Sequence, residues 1–405
     1  MFKRNVLAAS LTLAALCSAQ AALADINGGG ATLPQPLYQT AGVLTAGFAP
    51  YIGVGSGNGK AAFLNNDYTK FVAGTTGKNV HWAGSDSKLS AAELSGYVTA
   101  HNTAWGPLIQ VPSVATSVAI PFRKSGANAV DLSVNELCGV FSGRVNLWDQ
   151  ITGSGRTGPI TVVYRSESSG TTELFTRFLN AKCAETGTFA VTTTFANSYS
   201  GGLPAGAVAA AGSQGVMTAL NDTTVAEGRI TYMSPDFAAT TLAGLDDATK
   251  VARVGKDVAK NIVGLSPAPA NVSAAINAVA VPATTDRANP NAWVPVFTSQ
   301  AQIDLNPTDP SLKLYPTTGY PILGFTNLIF SQCYFNQDQS NQVRDFFTRH
   351  YGAAAATNND AAITANRFVP LPTAWKAAVR SSFLTASSDQ SIGKSNICNG
   401  IGRPL

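Results

Sequence analysis

Apolar and polar positions follow two rhythms along this chain. Continuous apolar runs predict buried strands at "PLIQVPSVATSVAIPF" (107–122), at "ITVVY" (160–164) and within "YPTTGYPILGFTNLIFSQCY" (315–334). Helical spacing predicts helices between them. In "SVNELCGVFSGRVNLWDQI" (133–151), Leu137, Val140 and Phe141 share one face before a glycine stop; in "ELFTRFLN" the set is Leu174, Phe175, Phe178 and Leu179. "SNQVRDFFTRHYG" (340–352) is amphipathic, with Val343, Phe346 and Phe347 turned inward. Two further helix-plus-strand units surround "SQGVMTALND" and "GRITYMSPDF", and the N-terminal part alternates short strands with glycine turns. Region 240–310, rich in Ala, Pro, Asn and Thr, reads as irregular surface with one helix. Strands alternating with helices predict an α/β protein with mostly parallel sheets. The long buried runs near 107–122 and 318–330 predict two lobes joined by two connections, with a ligand cleft between them.

The first residues change the picture of where the protein works. "MFKR" is a basic start, a short apolar run follows, and Ala22-Leu23-Ala24 has the small-residue pattern of a signal-peptide cleavage site. The expected mature chain begins at Asp25, after cleavage following Ala24, and is periplasmic or secreted. Leu16 before Cys17 departs from a lipoprotein signal, and no later run is long enough for a membrane span, so no membrane anchor is expected. The chain has 27 basic and 23 acidic residues. Losing Lys3 and Arg4 with the leader leaves the mature chain nearly neutral, which removes a bulk electrostatic reason to bind nucleic acid or an anionic membrane.

Four cysteines remain in the mature chain, an even number in an exported protein, and three pairings are open. Cys138–Cys183 and Cys333–Cys398 are the expected pairs, because each joins sequence neighbours and staples one domain. No Cys/His cluster has zinc spacing, so no metal and no cofactor are expected.

Candidate chemistry concentrates in "YRSESSGTTELF" (164–175), which reads as strand, tight loop and helix N-terminus. Free backbone N–H groups at a helix start attract an anion. Arg165 adds a permanently charged donor fork, and Ser169 and Thr171 add hydroxyls. The plainer reading is that Ser169 caps the helix and Arg165 pairs with Glu167 on the surface. "GVGSGNGK" (53–60) departs from a nucleotide P-loop at Val54 and Ala61 and reads as a flexible turn. "GGGATLPQ" (28–35) is another glycine turn, and Asp86 in "WAGSDSKLS" (82–90) stands where a helix cap is the plain explanation.

Taken in order, G-A-T-L-P, G-x-G-S-G, A-G-S-D-x-x-L-S and R-S-E-x-S-G-T-T resemble the high-affinity phosphate-binding proteins that feed bacterial phosphate ABC transporters. The stretch "DINGGGATLPQPLYQT" (25–40) is similar to the start of the DING proteins, an exported branch of that superfamily. The resemblance implies an α/β, two-lobed, type II periplasmic-binding-protein fold with two crossover connections and an interlobe phosphate cleft. Lobe 1 would combine residues 25–110 with 320–405, and lobe 2 would be 111–319. It implies that Thr32 and Leu33 supply a hydroxyl and an amide, Ser56 a hydroxyl, and Asp86 the one acceptor. Arg165, Ser169, Gly170 and Thr171 would form the other half of the cage, with Glu167 behind Arg165. One departure is Glu167-Ser168, where the transporter proteins carry Asp-Gly. Inorganic phosphate is the implied ligand, a phosphate ABC transporter permease a possible partner, and a monomer the default state.

The chemistry agrees with that implication. Near neutral pH phosphate keeps a proton that sulfate lacks, so a buried carboxylate accepts a hydrogen bond from one and repels the other. The rival function is phosphomonoester hydrolysis, since the DING proteins also resemble exported low-molecular-weight alkaline phosphatases. Against it, the three histidines are His81, His101 and His350, none in a ligand-spaced cluster, and no G-x-S-x-G elbow occurs. Binding without turnover is the expectation.

Overall fold

The computed structural model describes residues 26–404. The expected signal peptide and its cleavage after Ala24 lie outside them. Two six-stranded sheets organise the chain. The first runs in the order Val369–Pro370, Leu108–Ser117, Leu323–Ser331, Trp82–Ser85, Gly28–Gly30, Ile52–Gly53. The second runs Asp131–Leu132, Val251–Val254, Ile120–Arg123, Arg229–Thr231, Thr161–Arg165, Val208–Ala210. Each sheet is the core of one lobe of an α/β fold. No helix among the described residues is long and apolar enough to cross a membrane.

Both sheets are mixed, not mostly parallel as the alternation of elements predicted. Gly28–Gly30 is parallel to its two neighbours, but Leu323–Ser331 is antiparallel to both of its own. Thr161–Arg165 is likewise parallel to both neighbours, and Ile120–Arg123 antiparallel to both. The reason lies in the connections. The chain leaves the first lobe along Leu108–Ser117 and returns beside it along Leu323–Ser331, and outgoing and returning strands that pair must oppose each other.

The apolar run 107–122 is two strands in two sheets. The break comes at Val118 and Ala119, whose N–H groups donate to Ile322 and Met233 carbonyls, each at 2.8 Å. The expected boundary at 110/111 therefore falls inside the first strand. An unbroken apolar run carries no mark of the place where it changes sheets.

Three local expectations also change. Region 240–310 is more ordered than its composition implied. It contributes the Val251–Val254 strand, the Pro269–Ile276 and Gln300–Leu305 helices, and Val296–Thr298 paired in parallel with Leu312–Leu314. Its buried Phe297 lies against Phe325 of the first lobe and Tyr315, which in turn meets Phe178 of the second. The glycine run is a buried strand instead of a turn: a Cβ on Gly28 would lie 2.0 Å from the Trp82 indole nitrogen. The second glycine stretch is the start of a helix, Ser56–Asn65, entered through Gly55 at φ 89°.

Cys138 is bonded to Cys183 and Cys333 to Cys398. The first bridge ties the Val134–Ser142 helix to the C-cap of Gly170–Lys182, the helix whose other end forms part of the candidate site. The second ties the end of the Leu323–Ser331 strand to the C-terminal segment.

Candidate anion-binding site

Strand Thr161–Arg165 ends on Arg165, and Gly170–Lys182 begins five residues later. Ser169 is the helix cap, its Oγ accepting the Thr172 N–H at 3.2 Å. Arg165 Nε donates to Glu167 Oε1 at 2.7 Å, and Nη2 donates to the same oxygen. Both plainer readings of this turn therefore hold, but neither describes a surface: Arg165 is 3% exposed and Ser169 1%. Glu167 also accepts the Gly212 N–H on both oxygens, at 3.2 Å. Glu167 thus occupies the Nε–Nη2 edge of the guanidinium. The Arg165 N–H donates to the Tyr232 hydroxyl at 3.3 Å, which shares a 2.7 Å hydrogen bond with Thr172.

The facing wall comes from the first lobe. Strand Trp82–Ser85 runs directly into Asp86, which caps nothing; the following helix, Ala91–Trp105, is capped by Ser90 in a reciprocal pair with Glu93. The Asp86 N–H donates to Ser56 Oγ at 3.1 Å. Its carboxylate accepts from Thr326 at 2.8 Å and, across the cleft, from Thr171 at 3.3 Å. Burial pushes the Asp86 carboxyl up from 3.8 to about 6, against the lowering effects of the Thr326 hydrogen bond, the Arg165 charge and the Thr171 hydrogen bond. A carboxylate with so few donors around it has acceptor capacity to spare.

The lobes meet where two helices begin. A Cβ on Gly170 would stand 2.4 Å from Ser56 Oγ and 2.6 Å from Asp86 Cβ, so only glycine permits the approach. Both helix starts carry backbone N–H groups without intrahelical partners, and the two starts lie side by side. Thr32 follows the Gly28–Gly30 strand, and its Oγ1 lies 2.9 Å from Ser213 Oγ on the second lobe. Leu33 buries its side chain in the first lobe's core, which leaves only its backbone for the cleft.

The structure brings Ser56, Asp86, Gly170 and Thr171 into mutual contact and holds Arg165, Glu167 and Ser169 beside them. Thr32 joins through Ser213, and Leu33 follows it in the chain. Sequence reasoning missed Thr326, Tyr232, Gly212 and Ser213. Two signals were available: Thr326 is a polar interruption in an apolar strand, and "AAGSQG" repeats the strand–Gly/Ser–helix pattern of "RSESSGTT".

One other array has the residue types of a hydrolytic relay. Ser113 Oγ is 2.7 Å from His350 Nε2, and His350 Nδ1 is 3.1 Å from Asn359 Nδ2. Asn359 Nδ2 also donates to the Val43 carbonyl, which orients the amide and puts the imidazole proton on Nε2. His350 is then the donor toward Ser113 and has no lone pair with which to take its proton. All three residues are at most 2% exposed, and burial holds His350 down at about 4. The array is core architecture. Among the described residues, no group of three or more His, Cys, Asp or Glu is placed to share a metal ion.

Two α/β lobes joined by crossing strands and meeting over helix N-termini define a periplasmic-type binding-protein fold. The chain belongs to the PBP superfamily, whose domain profile matches residues 18–348, and within it to the DING proteins. It is 72% identical over the whole of both chains to alkaline phosphatase L of Pseudomonas aeruginosa (strain UCBPP-PA14). It is also 72% identical to a phosphate-binding protein of an unknown prokaryotic organism, over 94% of this chain and 100% of the other. Among solved structures it superposes on PfluDING, a high-affinity periplasmic phosphate-binding protein bound with phosphate. That match has a TM-score of 0.89 and 77% identity, covering 94% of this chain and 100% of that one.

Proposed function

We propose that this protein is exported and binds inorganic phosphate between its lobes, serving phosphate scavenging or transport without transforming the ligand. The observation that carries the reading is Asp86, a buried acceptor beside one helix start and across from another helix start and a charged guanidinium. Ligand oxygens would meet donors from Thr32, Leu33, Ser56, Arg165, Ser169, Gly170 and Thr171, and the ligand's proton would meet Asp86. Glu167 would hold Arg165 in place. A fully ionised oxyanion has no proton for Asp86 and would face an unpaired buried charge. The names of PfluDING and of the phosphate-binding relative support the same ligand.

Calorimetric titration of phosphate-stripped mature protein, with sulfate as control, tests this. One-to-one phosphate binding with weak sulfate binding is the expected result; absence of phosphate binding overturns it. Gly170→Ala offers a second check, because its Cβ would press on Ser56 and Asp86. An overpacking cost of about 1–3 kcal/mol predicts phosphate affinity lowered by about 5- to 150-fold. Unchanged affinity would mean the lobes do not close as described.

Phosphomonoester hydrolysis is the second reading, favoured by the name of the full-length relatives. The buried Ser113–His350–Asn359 array gives it no support. Release of phosphate from a simple aryl ester by purified protein, abolished in Asp86→Asn and Arg165→Ala, would bring it to the front.

A further inference from the structure

We propose that Ser213 is a positioning residue for the ligand: it fixes the direction of the Thr32 hydroxyl from across the cleft, making a donor of one lobe depend on arrival of the other. This rests on the phosphate reading above. Thr32 and Ser213 lie 181 positions apart in sequence, and their oxygens are 2.9 Å apart. The Ser213 N–H also points to Thr32 Oγ1, at 3.4 Å. A threonine hydroxyl has one proton and two lone pairs. When Ser213 donates through both its N–H and its Oγ–H, both Thr32 lone pairs are engaged. The single Thr32 proton is then free for an oxygen of the ligand. In the opposite orientation Thr32 spends that proton on Ser213 and offers the ligand nothing. An acceptor-rich phosphate face selects the first arrangement.

The turn carrying Ser213 is itself fixed. Gly212, at φ +66°, opens the Gly212–Leu220 helix and gives its N–H to Glu167, the residue that holds Arg165. One turn of the second lobe therefore aligns the charged donor of its own lobe and a hydroxyl donor of the other. Opening the lobes breaks the Thr32–Ser213 contact and leaves Glu167–Gly212 intact, since both of those residues move together. Thr32 and Ser213 are 8% and 3% exposed, so bulk water does not stand in for the missing partner in the closed form.

The test is a double-mutant cycle on phosphate binding with Ser213→Ala and Thr32→Val, read by calorimetry and by stopped-flow dissociation. Ser213→Ala should weaken phosphate binding by about tenfold, the loss appearing in the dissociation rate, because the contact forms only after closure. In the Thr32→Val background the same substitution should cost less than about twofold. A residue that merely stabilised its own lobe would lower the melting temperature of phosphate-free protein and act equally in both backgrounds. Equal losses in both backgrounds, or binding by Ser213→Ala within about twofold of native, overturns the proposal while leaving phosphate binding standing. Failure of the native protein to bind phosphate overturns both readings.

Discussion

Asp86→Asn is expected to collapse discrimination between phosphate and sulfate. Phosphate loses a hydrogen bond to a charged acceptor, worth about 1.5–3 kcal/mol, so its affinity should fall by about 10- to 100-fold. Sulfate should gain, because an amide N–H donates where a carboxylate repels. Titration of both anions into the variant measures the two changes together, and an unaltered ratio would remove Asp86 from the ligand shell. The same carboxyl makes two pH predictions. With its native value at about 6 against 3.8 when unfolded, the folded state holds a proton that the unfolded chain has already lost between those values. Phosphate-free stability should therefore fall as pH rises through that window, by about 3 kcal/mol in all. Above it, unliganded Asp86→Asn should melt a few degrees higher than the native protein. Below about pH 6 the native carboxyl becomes a donor, and sulfate binding should strengthen there without any mutation.

Arg165→Ala should remove about 2–5 kcal/mol of binding, a loss of roughly one and a half to three and a half orders of magnitude in phosphate affinity. The size follows from burial: a guanidinium at 3% exposure would act on the proposed ligand with little water between them. Arg165→Lys should not restore the affinity. A single ammonium cannot occupy the Glu167 carboxylate and a ligand oxygen with the fixed two-edged geometry of a guanidinium. Competition binding against native protein checks this, and a lysine variant within about tenfold of native would show that charge alone matters there.

Much of the site was legible because its residues announce themselves locally. Arg165 closes an apolar strand, and a Ser-Gly-Thr helix start follows within five positions, so the pattern carries its own chemistry. From its own neighbours Asp86 was legible as a candidate and not as an acceptor, since a carboxylate among serines suits a helix cap equally well; the acceptor role came from the family resemblance, and in the structure Thr326, 240 positions away, and Thr171 of the opposite lobe are its partners. The mixed sheets were hidden because strand direction depends on where the chain crosses between lobes. The apolar run through Val118 and Ala119 looks the same on either side of that crossing. Ser213 stayed hidden for a related reason: its partner, Thr32, lies 181 positions away, and no local periodicity reports a contact between lobes.

The ion pair behind the cage has a consequence for ionic strength. Arg165 is neutralised by Glu167 at hydrogen-bond distance, and Asp86, when ionised, adds a second negative charge nearby. The cleft then presents no net positive charge to an approaching anion, and short-range N–H and O–H dipoles would supply the attraction. Dissolved salt acts over a screening length of about 8 Å under physiological conditions; the three groups leave one net negative charge, but contacts between buried groups well inside that distance are screened little. Phosphate affinity should therefore change by less than about tenfold between about 0.02 and 1 M sodium chloride, and a steep decline would contradict this charge balance. A carrier built this way would work in dilute water and in brine alike, its grip set inside the cleft and not by the medium around it.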